Sequence, residues 1–564
     1  MEDKGAPLVE GRRLMLAAAG VLAAAGAAAA SILLAPGRAR AVTMLAALVL
    51  FPAMILGDQW HSAQIVDLRD DSARLALLLL AGIAVTVALA RVFRRQPVLL
   101  PLAIVAVLPF RVPLHAGGDT ANLLVPLYLV IGGGVFSTAL REWQQGGGVH
   151  SFAAFRFSPR RLDEREGPPG EKPSMRMDPP TLLPLVLAGV VVLYALQTLY
   201  SPDFSKSLQN VCFFFVPFSL VYALLRDVEW DRRLLILVLW VVALEAVAFV
   251  AVGSVEYLSR ELFWNDQVIR SNEFHTYFRV NSIFWDPNIY GRYLALVIVV
   301  AMSALLWAKE RRTLALLTGL VAILWFGLVP TFSQSSFAAL LAGLAVLAAL
   351  RWSWRWTLAT VGIVGVLAVL VVVFAGGSSK VSISRLNVDT GGRANLVSGG
   401  TDLFAQRPIW GYGAGSFPRA YREHAATKKA PVSISHTEPV TVAAEQGIIG
   451  LTAYAALLVV ALWTMGSGLG LGGKGWGARA DAASRFSPSQ LRVWGRPPWE
   501  KPRGAAGPPT LPTQTIARAA GLATFVALLV HTMAYAGFYE DPITWVLLAV
   551  GASLATVPAV RASA

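Results

Sequence analysis

Apolar residues in this chain come in long unbroken runs, not at the three-and-four spacing of an amphipathic helix or the alternation of a half-buried strand. Runs near or above the roughly 18 to 20 residues needed to cross hydrocarbon fall at 13–35, 41–57, 73–91, 97–115, 121–140, 181–201, 208–226, 232–254, 286–308, 313–331, 334–350, 354–376, 441–464, 516–538 and 542–560. The pattern predicts an all-α polytopic transmembrane helix bundle of about 12–15 spans, with a large external loop between late helices. The first run has Arg12 and Arg13 ahead of an Ala-rich stretch, as a signal peptide would, but a second run follows within a few residues. It reads as a first spanning helix.

Two polar segments interrupt the runs, 141–180 and 465–515, rich in Pro, Gly and charge and without amphipathic period. They read as disordered cytoplasmic linkers. They divide the chain into N-terminal helices (1–140), a core (181–464) and C-terminal helices (516–564). Arg156–Pro173 and Arg485–Pro502 repeat one another at ten of eighteen positions without a gap. A solenoid unit would recur in tandem with an apolar face, so this pair reads as an inserted element, with a docking peptide for a cytoplasmic partner as the alternative. The short loops 91–96, 224–233, 307–312 and 351–356 carry clustered Lys and Arg and are expected on the cytoplasmic side. Threading from them places loops 257–283 and 377–440 outside, the C-terminus inside and, with fifteen spans, the N-terminus outside. That last placement fits poorly with Lys4, Arg12 and Arg13, so one early span is expected to be miscounted or re-entrant.

Composition agrees with the class: 55% of 564 residues are apolar and 15% charged. The net charge of +14 is largely accounted for by the short basic loops, and nucleic acid is not an expected partner. The loop 377–440 differs, because it holds eight Lys or Arg against four acids on the side where positive charge is normally sparse. A long loop that escapes the charge rule accounts for about half of these residues, and an anionic ligand beside membrane lipids for the rest. Cys212 is the only cysteine and lies inside a run, so there is neither a disulfide framework nor a Cys-based metal site.

Candidate chemistry gathers in the two external loops. Arg279 stands just before a span, where a guanidinium needs an anion, a headgroup or water. Asp286-Pro287-Asn288 marks a helix start, with Asp286 as N-cap and Pro287 in the first turn. Residues 411–417, GYGAGSF, follow no strand and lack the lysine of a nucleotide-binding loop. Gly411 and Gly413 instead suit close approach of backbone to backbone or to phosphate. His436 sits between the basic loop and the next span and can titrate near neutrality. Glu445 falls in the first turns of that span, where a carboxylate also favours a helix N-terminus.

The order Arg279, Asp286-Pro287-Asn288, TFSQSSF at 331–337, Arg393, Asp402-Leu403-Phe404, Arg407-Pro408-Ile409-Trp410-Gly411-Tyr412-Gly413, His436 and Ala444-Glu445-Gln446-Gly447-Ile448-Ile449-Gly450-Leu451 resembles the O-antigen ligase and polymerase family. The motifs cover about 277–465. Many relatives carry Arg in the short motif that here reads Ser333-Gln334-Ser335. The resemblance implies an integral-membrane glycosyltransferase of the cell inner membrane, with its active site on the external face. Its partners would be a polyprenyl-diphosphate-linked glycan donor and a glycan or lipid acceptor, and it would need no cofactor. Arg279, Arg393 and His436 would be catalytic, with Arg407, Asn288, Glu445, Gly411 and Gly413 in substrate binding. No external carboxylate cluster has divalent-metal spacing, so a metal-independent, inverting transfer is expected. The competing class is a transporter or flippase for an anionic or lipid-linked solute. Transporters concentrate ionisable groups at mid-membrane and show internal repeats, neither of which is evident here.

Overall fold

The computed structural model describes residues 6–144, 179–352, 393–424, 435–467 and 513–556, apart from scattered positions within them. All but scattered positions of the run 354–376, the stretch from 377 to 392, and the bulk of both expected linkers with their repeat lie outside the described residues. Helices in chain order are α1 (Ala6–Leu33), α2 (Arg38–Asp58), α3 (Ser72–Arg95), α4 (Leu99–Val107), α5 (Val125–Gln144), α6 (Pro179–Thr198), α7 (Phe204–Leu225), α8 (Arg232–Ser259), α9 (Asp266–Phe274) and α10 (Pro287–Trp307). They continue with α11 (Arg311–Thr331), α12 (Gln334–Arg351), α13 (Arg393–Gln406), α14 (Phe417–His424), α15 (Glu438–Gly466), α16 (Thr513–Thr532) and α17 (Pro542–Thr556). Eleven of the described helices are long and apolar enough to cross a membrane, and α17 is a shorter apolar helix. The protein is an all-α, multi-pass membrane bundle.

Helix starts follow local sequence. Asp71, Asp203, Asp231, Asp286 and Ser333 each accept a backbone N–H from the first turn of the helix they precede, as short polar N-caps do. Asp286 therefore takes its expected place, with Pro287 in the first turn of α10.

The run 97–115 departs from expectation. It folds as α4, nine residues long, followed by a strand Val112–Ala116 (β1) that pairs antiparallel with Asp119–Leu123 (β2) in register Val112↔Leu123. Nine residues rise only about 13 Å, less than half the hydrocarbon core. Pro109 has no N–H to continue the helix ladder, and Pro113 would block its resumption, so hydropathy alone overstates this segment. The short helix and hairpin replace the full span expected there. They also shift the start of the following helix from 121 to Val125.

Side-chain contacts sort the helix ends into two groups. At one end Arg40 of α2 donates to Glu142 of α5 (Nε–Oε1 2.9 Å) and pairs with Asp227, while Arg226 donates to the Leu34 carbonyl. Thr464 reaches Pro179 O, and Ser553 reaches Val228 O. Arg94 of the 91–96 loop donates to Gln144 (3.3 Å) and Arg518 to the Ser467 carbonyl, so the bounds of both linkers, 144/179 and 466/513, open towards this same end. At the other end lie the ends of α2, α6, α8, α11 and α16 and the starts of α7, α10, α12, α15 and α17, together with α9, α13 and α14. This second group is called the site end below. Between the two ends, one apolar core joins α1, α2, α5, α6, α7, α15, α16 and α17, and a second joins α8, α10, α11, α12 and α16.

Candidate functional site

Arg279 is held by its surroundings on both its backbone and its side chain. Its N–H donates to Asn272 Oδ1 and its carbonyl accepts from Asn272 Nδ2, both at 3.0 Å. Its guanidinium Nε donates to Thr331 O (2.9 Å) at the end of α11, and an Nη donates to Asn288 Oδ1 (3.2 Å) in the first turn of α10. Two bonds to two different helices fix the plane of the guanidinium fork. The segment leading to it is anchored by Glu256, fully buried in the last turn of α8, whose carboxylate accepts N–H groups from Asn281 (3.2 Å), Ser282 (2.7 Å) and Phe263 (3.4 Å).

Below this, Ser333, Ser335 and Ser336 form a hydroxyl cluster. Ser333 Oγ lies 3.2 Å from Ser335 Oγ and 2.7 Å from Ser336 Oγ, Ser336 Oγ donates to Asn288 O, and Ser335 Oγ meets His531 Nε2 at 3.2 Å. The motif in which many relatives carry Arg is therefore packed here between α10, α12 and α16. Its middle residue, Gln334, is exposed.

The glycine-rich loop docks on α15 through three backbone–backbone bonds and one carboxylate. Tyr412 N donates to Ala444 O (3.1 Å), Gly413 N to Glu445 O (2.8 Å) and Ile448 N to Pro408 O (2.7 Å). Gly447 breaks the helical conformation of α15 (φ 64°, ψ −163°), which frees carbonyls 444 and 445 for these bonds. Gly411 (φ +69°) and Gly413 (φ +104°) sit where a Cβ would overlap Glu445 O at 2.3 Å and Ser201 Cα at 2.5 Å. Both are left-handed positions in direct backbone contact, the two conditions that require glycine. Glu445 points its carboxylate at Gly415 N (2.8 Å) and Phe417 N (2.9 Å), so it satisfies the start of α14. Gln197, Tyr200 and Ser201, from the end of α6 onward, complete the dock on Gln446 O, Trp410 O and Ala414 O.

Arg407 belongs to this cap. Its guanidinium lies 4.5 Å from the centre of the Tyr412 ring, and Tyr412 donates to Gln406 Oε1 (2.6 Å). Burial pushes the Tyr412 hydroxyl up from its ordinary value, and the Arg407 charge opposes that shift. Arg393 opens α13, which packs on α15 and α14, and its side chain lies outside the described residues.

His436 adopts φ 64°, a left-handed conformation uncommon for a residue other than glycine and one that concentrates at functional sites. Ser435 braces it on both sides. Its hydroxyl donates to Thr437 O (2.7 Å), accepts from Thr437 N (3.2 Å) and meets Thr441 Oγ1 (2.7 Å). Two residues on, the buried Glu438 accepts N–H groups from Gly537 (2.8 Å) and Phe538 (3.1 Å), in the connection between α16 and α17.

Arg279 and Asn288 are thus brought into contact, and Gly411, Gly413 and Glu445 meet around the α15 kink. Arg407 is stacked on Tyr412. Glu256, Asn272, Ser435 and Glu438 were not singled out by sequence. For Glu256 and Glu438 the signal available was an acid at the edge of an apolar run, and Asn272 and Ser435 carried none. Among the described residues no group of three or more His, Cys, Asp or Glu is disposed to hold a metal ion.

Residues 319–455, which hold the serine cluster, α13, the glycine-rich loop, His436 and the α15 kink, match the family model described as O-antigen ligase. The chain carries an O-antigen ligase family region. No curated protein matches it. Arg279 and Asn288 lie outside the matched O-antigen ligase segment and reach it through Thr331 and Ser336.

Proposed function

We propose that this O-antigen ligase family protein is a glycosyltransferase that moves a glycan from a polyprenyl diphosphate carrier to an acceptor hydroxyl, with the site end on the external face of the cytoplasmic membrane. The observation that carries the reading is the family match over the loop that holds Arg393, Arg407 and His436. The orientation of Arg279 supports it. A guanidinium tied by Nε and Nη to Thr331 and Asn288 is preorganised for an oxyanion whose charge grows during reaction.

In the proposed step the acceptor oxygen attacks the anomeric carbon and the bond from that carbon to the diphosphate oxygen breaks. The electron pair leaves with the carrier diphosphate, stabilised by Arg279 and Arg393, and the acceptor proton passes to His436. Single displacement inverts the anomeric configuration. Charge stabilisation is assigned to arginine and not to a metal, and Arg407, Gly411, Gly413 and Glu445 shape the loop over the donor. Ligase stands ahead of polymerase, and a transporter of a lipid-linked solute stands behind both.

The test is purified protein with a polyprenyl-diphosphate glycan, with and without acceptor. Stoichiometric release of carrier diphosphate and transfer of glycan, only when acceptor is present, is expected. A ladder of repeat units would assign the polymerase activity. Movement of intact donor across vesicles with no bond cleavage would reject the enzyme reading.

A further inference from the structure

The C-terminal hairpin α16–α17 lies beyond the matched family segment, yet its connection touches both halves of the candidate site. On one side Gly537 N and Phe538 N donate to Glu438, two residues after His436. On the other, Asp541 Oδ2 lies 2.8 Å from an Nη of Arg292, with both side chains about 95% buried. Arg292 stands one turn after Asn288 on α10, and Asn288 holds Arg279. The residues between are rigidly packed. Phe538 and Tyr539 lie against Tyr454 (ring centroids 5.5 and 5.9 Å), and Trp545 Nε1 donates to Tyr539 O. Asp541 Oδ1 also caps α17 at Ile543 N (2.9 Å).

We infer that Glu438, Asp541 and Arg292 are positioning residues, and that the 533–541 connection is a strut that sets the spacing between His436 and Arg279. The role assigned to that spacing rests on the transferase reading above. A buried ion pair is weak evidence for stability, because desolvation offsets its attraction, and geometric specification is the better-supported use of such a pair. Glu438 serves a related end: one carboxylate oxygen collects two backbone N–H groups from 99 and 100 residues away. Cutting the strut at Asp541 should therefore loosen the His436 segment, which Asp541 does not touch. A displacement of about 1 Å in a reacting group can cost on the order of 10²-fold in rate.

The experiment compares full-length E438A, E438Q, D541N and the double variant E438A/D541N in detergent. Hydrogen exchange over 435–441 and 533–541, thermal melting, donor affinity and turnover are read on each. E438A is expected to raise exchange in both segments and to lower turnover about 100-fold with donor affinity changed less than about twofold. E438Q keeps an acceptor oxygen and should recover most of the turnover. D541N should raise exchange in 435–441, and the double variant should be no worse than the poorer single variant, because both cut one strut. Unchanged protection of 435–441 in D541N, or normal turnover in a well-folded E438A, overturns the inference. If E438A fails to fold, D541N carries the same decision alone. If the wild-type protein transfers no glycan, the transferase reading fails while the exchange data still report whether the strut exists.

Discussion

Replacing Gly411 by alanine probes the loop dock at its tightest point. The residue needs φ +69°, and an added Cβ would lie 2.3 Å from Glu445 O, 2.4 Å from Glu445 C and 2.6 Å from Gln446 N. All three are backbone atoms of a packed helix, so no side chain can swing aside. Left-handed strain costs an alanine roughly 1 to 2 kcal/mol. Relief of the clash requires parting Tyr412 N from Ala444 O or Gly413 N from Glu445 O, and each buried bond lost costs about 1 to 3 kcal/mol. The sum, roughly 2 to 5 kcal/mol, is confined to a loop, so it appears as local opening and not as loss of the bundle. Hydrogen exchange over 408–417 should accelerate by roughly 30- to 4,000-fold, since each 1.4 kcal/mol is tenfold, and glycan transfer should fall with it. Gly447→Ala attacks the same dock from the helix side, where its Cβ would lie 2.3 Å from Ile409 O, and should give the same signature. Gly189→Ala is the control: nothing lies within 4 Å of its Cβ, and in a helix interior alanine is favoured by about 1 kcal/mol. Wild-type protection of 408–417 in Gly411→Ala would refute the account of the dock.

Arg279→Ala should lower turnover about 10²- to 10³-fold, and Arg279→Lys should restore only part of it, because one ammonium cannot keep both the Thr331 and Asn288 bonds in a planar fork; near-normal kinetics in the alanine variant would remove Arg279 from the site. His436→Ala should lower turnover about 10²- to 10⁴-fold with donor affinity retained, and an equal fall in donor affinity would reassign the residue to diphosphate binding. Sidedness is open to labelling in a Cys212→Ser chain: the exposed Thr401→Cys should react with an impermeant thiol reagent in intact cells and Ser158→Cys only after the membrane is opened, and the reverse pattern would invert the orientation.

Much of the bundle was legible because its signals are local. Asp286 and Pro287 announce the start of α10 within three residues, and the runs at 73–91, 232–254 and 313–331 became helices with only their ends moved. The run 97–115 failed because hydropathy sums residues without asking whether their backbone can be helical, and Pro109 and Pro113 decide that question. At the site, Arg279 and Asn288 could be suspected together because nine residues separate them. Glu256 and Glu438 could not. Their partners are backbone N–H groups 25 and 26 and 99 and 100 residues away, and any residue type except proline supplies such a donor.

The site end therefore has a common construction. A loop that crowns a membrane bundle carries backbone donors that neither lipid nor a helix ladder can satisfy. Here three carboxylates, two in terminal helix turns and one beside the α15 kink, take that role: Glu256 for the Arg279 segment, Glu438 for the C-terminal connection and Glu445 for the glycine-rich loop. Each accepts at least two N–H groups, and charge-assisted bonds of this kind are about twice as strong as neutral ones. Loops held by their backbones leave their side chains free to vary without moving the frame. That separates two kinds of substitution: changing Ile409 or Trp410, both exposed, should alter which glycan is accepted, whereas removing any one of the three acceptors should disturb the site whatever the glycan.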